Sequence, residues 1–560
     1  MKQALYISVW FALLFSFQAP LRGQTPEHRT LVIPVEFKDL SFTFPPERID
    51  SLLLRLSEYY NTQFLGTKTF IFDRMQVRTL AEPYAYYGAN DVNGSFDIDY
   101  RSKYLPEAIL RICDADTDFS VYDNDGNGNV NDIIIIVPGV PESESSGPDF
   151  FRPRYIPLNY SLAADKKRIS GFAIVTELST AGDFAGIGII AHEFGHILGL
   201  KDMYDTDGDA SEGVCPGLGI TSLMDIGMGN DGGNTPPNLN AVEREMLGTG
   251  FCEVLDTLGT YSLEPIHLAG HFCMLQSTQD AGYFLLENRS TEGRDAFIGG
   301  GGLLVYKVNR SSDPAGYSTY FRRTLTALER WRENQVNCNP AYPCAEIRLY
   351  WPQDAVQNFN ADGKVLTCIS KDADGAISFK LVQPIRMDGV SVFQNSAILA
   401  WTVSEDIAAV DSCKLEWSAH GKILGREDGT DNGDGRRSIT LKGLSPYTEY
   451  NYTASVYYSD GSDFSVSGKF TTRIFRNGIF RFIYFSDDVR NADGSFKAGC
   501  RIPLVVYNSV DEHIEWTFND LGISAGPDGK WAVPGSGTLK AEVTNEDGSK
   551  DIIIKEITVR

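Results

Sequence analysis

The sequence predicts a multidomain protein in which an α/β (α+β) domain is followed by all-β sandwich modules. Three observations support this fold class. With 560 residues, the chain is too long for a single hydrophobic core. Up to about residue 190, strand patterns alternate with helical ones. From about residue 251 the helical patterns fade into β-rich sequence punctuated by glycine.

The first 23 residues resemble a secretory signal peptide. Lys2 provides a basic start, an apolar run extends to about Phe17, and small residues lead to a predicted cleavage after Gly23. The apolar run is shorter than the roughly 20 residues that a membrane span needs, and no later segment reads as transmembrane. We therefore expect a protein that is secreted or associated with the cell surface.

The elements before residue 190 predict a mixed sheet with flanking helices. Residues 31–37 read as a strand, and residues 46–64 have the periodicity of an amphipathic helix. Residues 133–137 are apolar on both faces, which is typical of a strand inside a sheet. Residues 171–178 form a further strand. It is either an ordinary core strand or, by analogy, the sheet edge that pairs with an extended peptide.

An acidic loop at residues 123–132 has oxygen-bearing side chains at alternate positions around glycine bends. This pattern predicts a calcium site, although position twelve is Ile134 rather than a bidentate glutamate and a strand follows. The alternative is an ordinary turn rich in Asp and Asn. The predicted calcium ligands are Asp123, Asp125, Asn127, Asn131 and Asp132.

The motif HEFGH at residues 192–196 predicts a catalytic zinc site. Residues four apart share a helix face, so the imidazoles of His192 and His196 point the same way, with Glu193 beside them. The apolar approach at residues 186–191 predicts that this helix is largely buried, where unpaired polar groups would be costly without a metal. We expect the two histidines to hold Zn²⁺ and Glu193 to act as the general base.

The third zinc ligand is predicted to be a carboxylate, because none of the seven histidines lies just downstream of this helix. Gly199 permits a left-handed turn that brings Asp202 back towards the imidazoles. Asp202 also occupies the last position of an extended HExxHxxGxx(H/D) pattern. Asp205 and Glu212 remain alternatives.

Four stretches together resemble the immune inhibitor A family of secreted bacterial metallopeptidases, which are metzincin-like. They are HEFGHILGLKDMYD at 192–205, SLMDIG at 222–227, PNLNAVEREMLG at 237–248, and YFLLENR with GLLVY at 283–289 and 302–306. The resemblance implies a metzincin-like fold, a zinc-dependent peptidase activity, and a role for Met224 as an apolar floor beneath the metal.

The sequence after the peptidase domain predicts β-modules that bind ligands or act as spacers rather than catalyse a reaction. Strand-like segments around Trp401 and Trp417, followed by LKGLSPYTEY at 441–450, resemble a fibronectin type III domain, and the last segment predicts an immunoglobulin-like sandwich. The predicted boundaries are 1–23 for the signal peptide, 24–250 for the peptidase domain, 251–381 for a β-rich module, 382–473 for the fibronectin type III-like domain and 474–560 for the terminal sandwich.

The formal charge of −24 argues against nucleic acid and anionic membrane as partners, since both require clustered cations. Among the nine cysteines, Cys338 and Cys344 are near enough in sequence to form a disulfide. The sequence thus predicts a secreted zinc metalloendopeptidase that acts on extracellular proteins or peptides. The alternative is a noncatalytic adhesin, or a glycan- or protein-binding protein, that uses the peptidase fold as a scaffold.

Overall fold

The computed structural model describes residues 25–90, 104–142, 150–204, 217–278, 282–308, 325–327, 347–350, 358–473, 482–483, 485, 487–507, 513–544 and 550–560. The chain divides into two compact units, Met1–Pro384 and Ile385–Arg560. The predicted signal peptide and the Cys338–Cys344 pair lie outside the described residues.

A seven-stranded mixed sheet forms the first part of the first unit, with strand order β2-β1-β5-β7-β4, β3 beside β1, and β6 beside β7. The elements in chain order are β1 (Glu27–Glu36), α1 (Glu47–Gln63), β2 (Thr69–Arg74), β3 (Arg78–Thr79), α2 (Tyr84–Gly88), α3 (Leu105–Cys113), β4 (Asn129–Val130), β5 (Ile133–Val137), β6 (Arg154–Ala164), β7 (Lys167–Thr176), α4 (Ile187–Ile197) and α5 (Ala241–Leu247).

The centre of this sheet confirms the predicted α/β class. All five residues of β5 are buried, and β5 pairs in parallel with β1 on one side and β7 on the other. A strand with neighbours on both sides and covered faces must be apolar throughout, which is the pattern that the sequence shows.

The structure decides whether residues 171–178 form a core strand or the edge of the sheet. Strand β7 lies between β5 and β6, so the idea that residues 171–178 form a free edge was wrong. Among the described strands, β6 takes the outer position and runs antiparallel to β7. Its ladder is irregular between Pro157 and Leu162, which explains why its sequence lacks the clean alternation of a strand.

Two further sheets follow within the first unit, in strand orders β13-β14-β12-β11-β10-β8 and β15-β16-β17-β9. The elements are β8 (Phe251–Val254), β9 (Gly259–Leu263), α6 (Ile266–Ala269), β10 (His271–Gln276), β11 (Tyr283–Arg289), β12 (Gly302–Val308), β13 (Leu325–Ala327), β14 (Ile347–Tyr350), β15 (Phe359–Ala361), β16 (Lys364–Lys371) and β17 (Ile377–Val382).

The six-stranded sheet contributes to two hydrophobic cores. On one face, residues such as Leu275 and Phe284 pack with Phe379 from the four-stranded sheet. On the other face, Leu285 and Tyr306 belong to the same core as the residues of α4. The β-rich segment after residue 250 therefore shares its core with the α/β part.

The second unit is built from antiparallel sheets, as the sequence predicts for sandwich modules. Two four-stranded sheets have the orders β18-β19-β23-β22 and β21-β20-β24-β25, and Trp401 on β19 is fully buried. The strands are β18 (Ile385–Val392), β19 (Ser396–Val403), β20 (Val410–Ala419), β21 (Lys422–Asp428), β22 (Thr430–Asp431), β23 (Arg436–Lys442), β24 (Glu449–Tyr458) and β25 (Asp463–Thr471).

The end of the chain forms smaller sheets around a separate core that includes Ile502, Trp516 and Leu539. Its largest sheet has the order β30-β29-β32-β33. The strands are β26 (Phe482–Ile483), β27 (Arg501–Pro503), β28 (Val506–Tyr507), β29 (His513–Phe518), β30 (Leu521–Ile523), β31 (Lys530–Ala532), β32 (Gly537–Thr544) and β33 (Lys550–Ile557).

Candidate metal centre

The candidate site is built on α4, which is buried along almost its whole length, as the apolar approach predicts. Phe194 holds the helix from one side, with its ring 4.8 Å from that of Tyr60 and 5.0 Å from that of Phe72. The hydroxyl of Tyr60 donates to the carbonyl oxygen of Ala191 at 2.6 Å. The helix therefore presents its two imidazoles from a fixed backbone.

The chain after α4 turns back towards these imidazoles, as predicted. Gly199 has φ +104°, a value that L side chains rarely adopt. The turn places Oδ1 of Asp202 3.1 Å from Nε2 of His192 and 3.2 Å from Nε2 of His196. Among the described residues, these three form one of two groups whose ligand atoms all lie within 4.8 Å of one another.

The hydrogen bonds of the two imidazoles show that this donor set fits a metal cation. Nδ1 of His192 lies 3.1 Å from the carbonyl oxygen of Leu223, and Nδ1 of His196 lies 2.9 Å from that of Leu200. A carbonyl only accepts, so each neutral imidazole carries its proton on Nδ1 and points the lone pair of Nε2 at Asp202. Three lone pairs facing one another are favourable only around a cation.

The spacing of the donor atoms also agrees with zinc. Tetrahedral Zn²⁺ with bonds of about 2.0–2.2 Å separates neighbouring ligand atoms by about 3.4 Å. The observed contacts to Asp202 of 3.1 and 3.2 Å are within a few tenths of an ångström of that value. Oδ1 of Asp202 is buried and has no hydrogen-bond donor among the described residues. His192, His196 and Asp202 are therefore suited to holding such an ion.

The shifted pKa values of His192 and Asp202 also indicate that the site favours a bound positive charge. Burial alone would lower the pKa of His192, but the adjacent carboxylates of Asp202 and Glu193 raise it to about 9. Burial works to raise the pKa of Asp202, yet its contacts with the two imidazoles hold it below its ordinary value. Either a proton or a metal cation must neutralise this cluster.

Glu193 lies beside the cluster with its carboxylate turned inwards, and the residue is only 5% exposed. Burial raises its pKa above the ordinary value, and the backbone N–H of Tyr155 on β6 donates to its carboxylate. Its Oε2 is buried without a hydrogen-bond partner among the described residues. A carboxylate with a raised pKa and a free oxygen is suited to accepting a proton from water.

Met224 packs against α4, the helix that carries both histidines. It is fully buried, and a Cβ at Gly195 would lie 2.7 Å from its sulfur. Glycine between the two imidazoles thus allows the thioether to approach the helix backbone. The role of Met224 as an apolar floor beneath the metal stays a prediction.

A residue that the sequence analysis missed holds the loop of Met224 in place. The buried carboxylate of Glu243 accepts hydrogen bonds from the hydroxyl of Ser222 at 2.6 Å and from the backbone N–H of Met224 at 3.1 Å. Its other oxygen accepts from the N–H of Asn240 at 2.9 Å, completing a capping box at the start of α5. The Asn-x-x-Glu spacing predicts the capping box of α5, but it does not predict the contact of Glu243 with the loop of Met224.

Removing this carboxylate is expected to destabilise the site. In Glu243→Ala, the hydroxyl of Ser222 and the N–H of Asn240 lose their acceptor, while the N–H of Met224 keeps its contact with Oγ of Ser222 at 3.1 Å. Each unsatisfied buried donor costs about 1–3 kcal/mol, so the free energy of unfolding, measured by chemical denaturation, should fall by at least about 2 kcal/mol. Glu58→Ala, on the exposed face of α1, is the control and should change little. Equal stabilities of the two variants would contradict this account.

The remaining candidates near the site are only partly described. Tyr204, which the sequence motifs did not single out, hydrogen-bonds to Asp202. Burial is the main reason that the pKa of Tyr204 is raised. The alternative third ligands, Asp205 and Glu212, lie outside the described residues.

The predicted calcium ligands contact one another as well as other parts of the chain. Asp123 accepts from Nζ of Lys167 at 2.7 Å, and Asp125 accepts from the backbone N–H of Asn127 at 3.1 Å. Two loop residues contact other elements: Asn131 donates to the carbonyl of Ile197 at 3.2 Å, and Asp132 lies 2.5 Å from Nε2 of His28. Neither group of convergent ligand atoms in the described part of the chain includes this loop. Calcium stays a prediction without support from these contacts.

Comparison with known proteins supports the class that the site indicates. Residues 162–251, which include α4, Asp202 and Met224, match the family described as immune inhibitor A peptidase M6, catalytic domain. This match confirms the resemblance that the sequence motifs show. This part of the chain is thus similar to the catalytic domain of a metallopeptidase family. No curated protein matches the chain.

Solved structures with similar portions include β-sandwich modules. Fibronectin(III)-like modules of Clostridium thermocellum CbhA match with 12% identity over 31% of this chain and 94% of that chain, at a TM-score of 0.17. The N-terminal Ig1-2 module of the Drosophila receptor protein tyrosine phosphatase DLAR matches with 13% identity over 32% and 99%, at a TM-score of 0.14. At TM-scores this low, neither likeness bears on function.

Proposed function

We propose that the protein is a zinc-dependent metalloendopeptidase that hydrolyses peptide bonds of extracellular proteins. The observation that carries this proposal is the convergence of His192, His196 and Asp202 beside the buried carboxylate of Glu193. A structural role alone would not require three facing lone pairs beside an unpartnered, buried carboxylate oxygen.

His192, His196 and Asp202 would hold the ion, and three protein ligands leave the fourth position of a tetrahedral site open. Bound Zn²⁺ supplies a Lewis acid for the substrate carbonyl and lowers the pKa of water. Glu193 would take a proton from the attacking water at its free Oε2 and later deliver it to the leaving amine. The N–H of Tyr155 would keep the carboxylate oriented during both transfers.

The position of β6 favours an extended substrate and cleavage within a chain. Among the described strands, β6 is an edge of the seven-stranded sheet, and it reaches the site through Tyr155. An edge strand offers free backbone donors and acceptors to an extended peptide. Because an edge does not require a substrate terminus, it suits internal peptide bonds.

We also propose that the protein is secreted and that its two units have different roles. The described helices include none that is long and apolar enough to cross a membrane. The formal charge of −24 would keep a secreted protein soluble. We assign catalysis to the first unit, and binding or spacing to the fibronectin type III-like and immunoglobulin-like modules of the second.

Metal removal tests the proposal directly. Peptide hydrolysis by the full chain is expected to disappear after dialysis against a chelator and to return with Zn²⁺ but not with Mg²⁺, which prefers octahedral oxygen sites. The readout is cleavage of a mixed peptide library, which also reports the cleavage preference. A noncatalytic binding protein would show no hydrolysis before or after zinc is added, and that result would favour the alternative.

Truncation tests the division of labour. A protein ending at Pro384 is expected to cleave small peptides as the full chain does, because every candidate ligand and Glu193 lie in the first unit. Cleavage of a large or surface-bound substrate should fall, since tethered binding modules raise the effective substrate concentration. A well-folded short protein without small-peptide cleavage would show that the second unit helps to build the site.

A further inference from the structure

We propose that the chain holds a second transition-metal site, in which Glu253, His271 and Cys273 bind a Zn²⁺ ion. These residues form the second group of convergent ligand atoms in the described part of the chain. They belong to β8 and β10 of the six-stranded sheet, and none of them takes part in the site on α4.

The pairing of the two strands brings the ligands onto one face. Strands β8 and β10 run in parallel, with Cys273 opposite Glu253 and His271 opposite Phe251. Because side chains alternate along a strand, His271 and Cys273 project from the same face of β10, and Glu253 projects beside them from β8. The cluster is therefore fixed by strand register rather than by a flexible loop.

The distances suit a tetrahedral ion. Oε2 of Glu253 lies 3.2 Å from Nε2 of His271 and 3.9 Å from Sγ of Cys273. Zinc bonds of about 2.3 Å to sulfur and about 2.0–2.2 Å to nitrogen and oxygen place such atoms about 3.4 and 3.6 Å apart. These two contacts are within a few tenths of an ångström of the tetrahedral values, and the ligand atoms of all three residues lie within 4.8 Å of one another. Nitrogen, sulfur and oxygen donors in one set favour zinc over calcium or magnesium.

The ion pair of His271 and Glu253 does not involve Cys273, which lies beside it at the margin of the hydrophobic core that contains Leu275 and Phe284. His271 and Glu253 could pair without a metal, but a thiol is a weak hydrogen-bond donor and adds little at 3.9 Å. Cys273 is fully buried, whereas the side chains of His271 and Glu253 are 15% and 38% exposed. The sulfur thus lies at the inner end of a cluster whose outer end meets solvent, which offers an entry path for an ion.

The location gives the ion a structural role. Strand β8 is the outermost described strand of its sheet and follows α5 closely in the chain. The ring of Phe251 lies 5.2 Å from that of His271 and helps to orient the imidazole. A metal bridging β8 to β10 would fasten this edge strand where the chain leaves the α/β part.

Cobalt substitution distinguishes this site from the site on α4. A thiolate bound to Co²⁺ gives a near-ultraviolet charge-transfer band, whereas two histidines and an aspartate give none. The probe is the full chain loaded with Co²⁺ in place of Zn²⁺. We expect the band in the unmodified protein and in His192→Ala, and its loss in Cys273→Ala. Cys252→Ser is the matched control, because Cys252 is a neighbouring free thiol on β8, and it should retain the band.

Metal stoichiometry provides a second readout. The full chain should hold two zinc ions, and Cys273→Ala and His192→Ala should each hold one. If Cys273→Ala fails to fold, His271→Gln should still lose the second ion and, with it, the band. No band in the full chain, or a band that survives Cys273→Ala, would overturn the second site. Zinc that is undiminished in His192→Ala would instead contradict the proposed function.

Discussion

Glu193→Gln is expected to abolish peptide hydrolysis while the metal stays bound. The change replaces a carboxylate by an amide of nearly the same size, so the buried position stays filled and His192, His196 and Asp202 are untouched. The amide cannot accept the proton that Oε2 of Glu193 would take from water. Loss of a general base typically lowers the rate by about 10²–10⁴-fold, which is the minimum reduction in kcat that we expect.

The measurement compares kcat and KM on one peptide, together with zinc content, for Glu193→Gln and for Glu58→Gln. Glu58 is an exposed carboxylate on α1, so its variant should behave like the unmodified protein. An unchanged KM with a reduced kcat would identify a group that acts in the transition state rather than in binding. Near-normal turnover by Glu193→Gln would rule out this mechanism.

The metal cluster was predictable from sequence because its parts are close in the chain. His192 and His196 are one helical turn apart, and Asp202 follows a glycine that reverses the backbone. Local geometry therefore brings all three together before any long-range packing is known. The described contacts agree with this expectation, while the assignment of roles to these residues remains our proposal.

The supporting contacts were not predictable, because they join distant parts of the chain. Glu243 reaches the loop of Met224 only once α5 has docked, and Tyr155 reaches Glu193 only through the pairing of β6 with β7. Neither contact leaves a signal in a single sequence. The same holds for the edge position of β6, whose irregular ladder disguises the alternation of a strand.

The hydrophobic core that the α/β part shares with the segment after residue 250 was not predictable from the sequence, for a different reason. Strand β11 is fully buried and carries Glu287 and Arg289, residues that usually indicate a solvent-exposed position. Glu287 accepts from the N–H of Ala241 at the start of α5, and Arg289 pairs with Asp295 at 2.7 Å. The contact of Glu287 with Ala241 connects the segment after residue 250 to the α/β part, and composition alone cannot reveal that such buried charges are partnered.

Asp202→Ala is expected to lower zinc occupancy as strongly as His196→Ala, because each change removes one of three proposed protein ligands. Loss of an outer-sphere partner already weakens metal affinity by about 10–100-fold, so loss of a ligand should exceed that range. In addition, Asp202 carries the negative charge that faces both imidazoles at 3.1 and 3.2 Å. Its removal would leave two neutral ligands, so hydrolysis should fall together with occupancy.

The decisive comparison uses competitive titration with a zinc-binding dye for Asp202→Ala, His196→Ala and Asp202→Asn. The asparagine variant keeps the size of the side chain and removes only its charge, so a weakened affinity there would assign the effect to the carboxylate rather than to a cavity. Asp205→Ala and Glu212→Ala provide the matched test of the alternatives, since both acids follow the same turn in sequence. If Asp202→Ala retains its zinc while Glu212→Ala or Asp205→Ala releases it, the third ligand has been assigned to the wrong carboxylate. In that case Asp202 contacts the imidazoles as a neighbour of the metal rather than as its ligand.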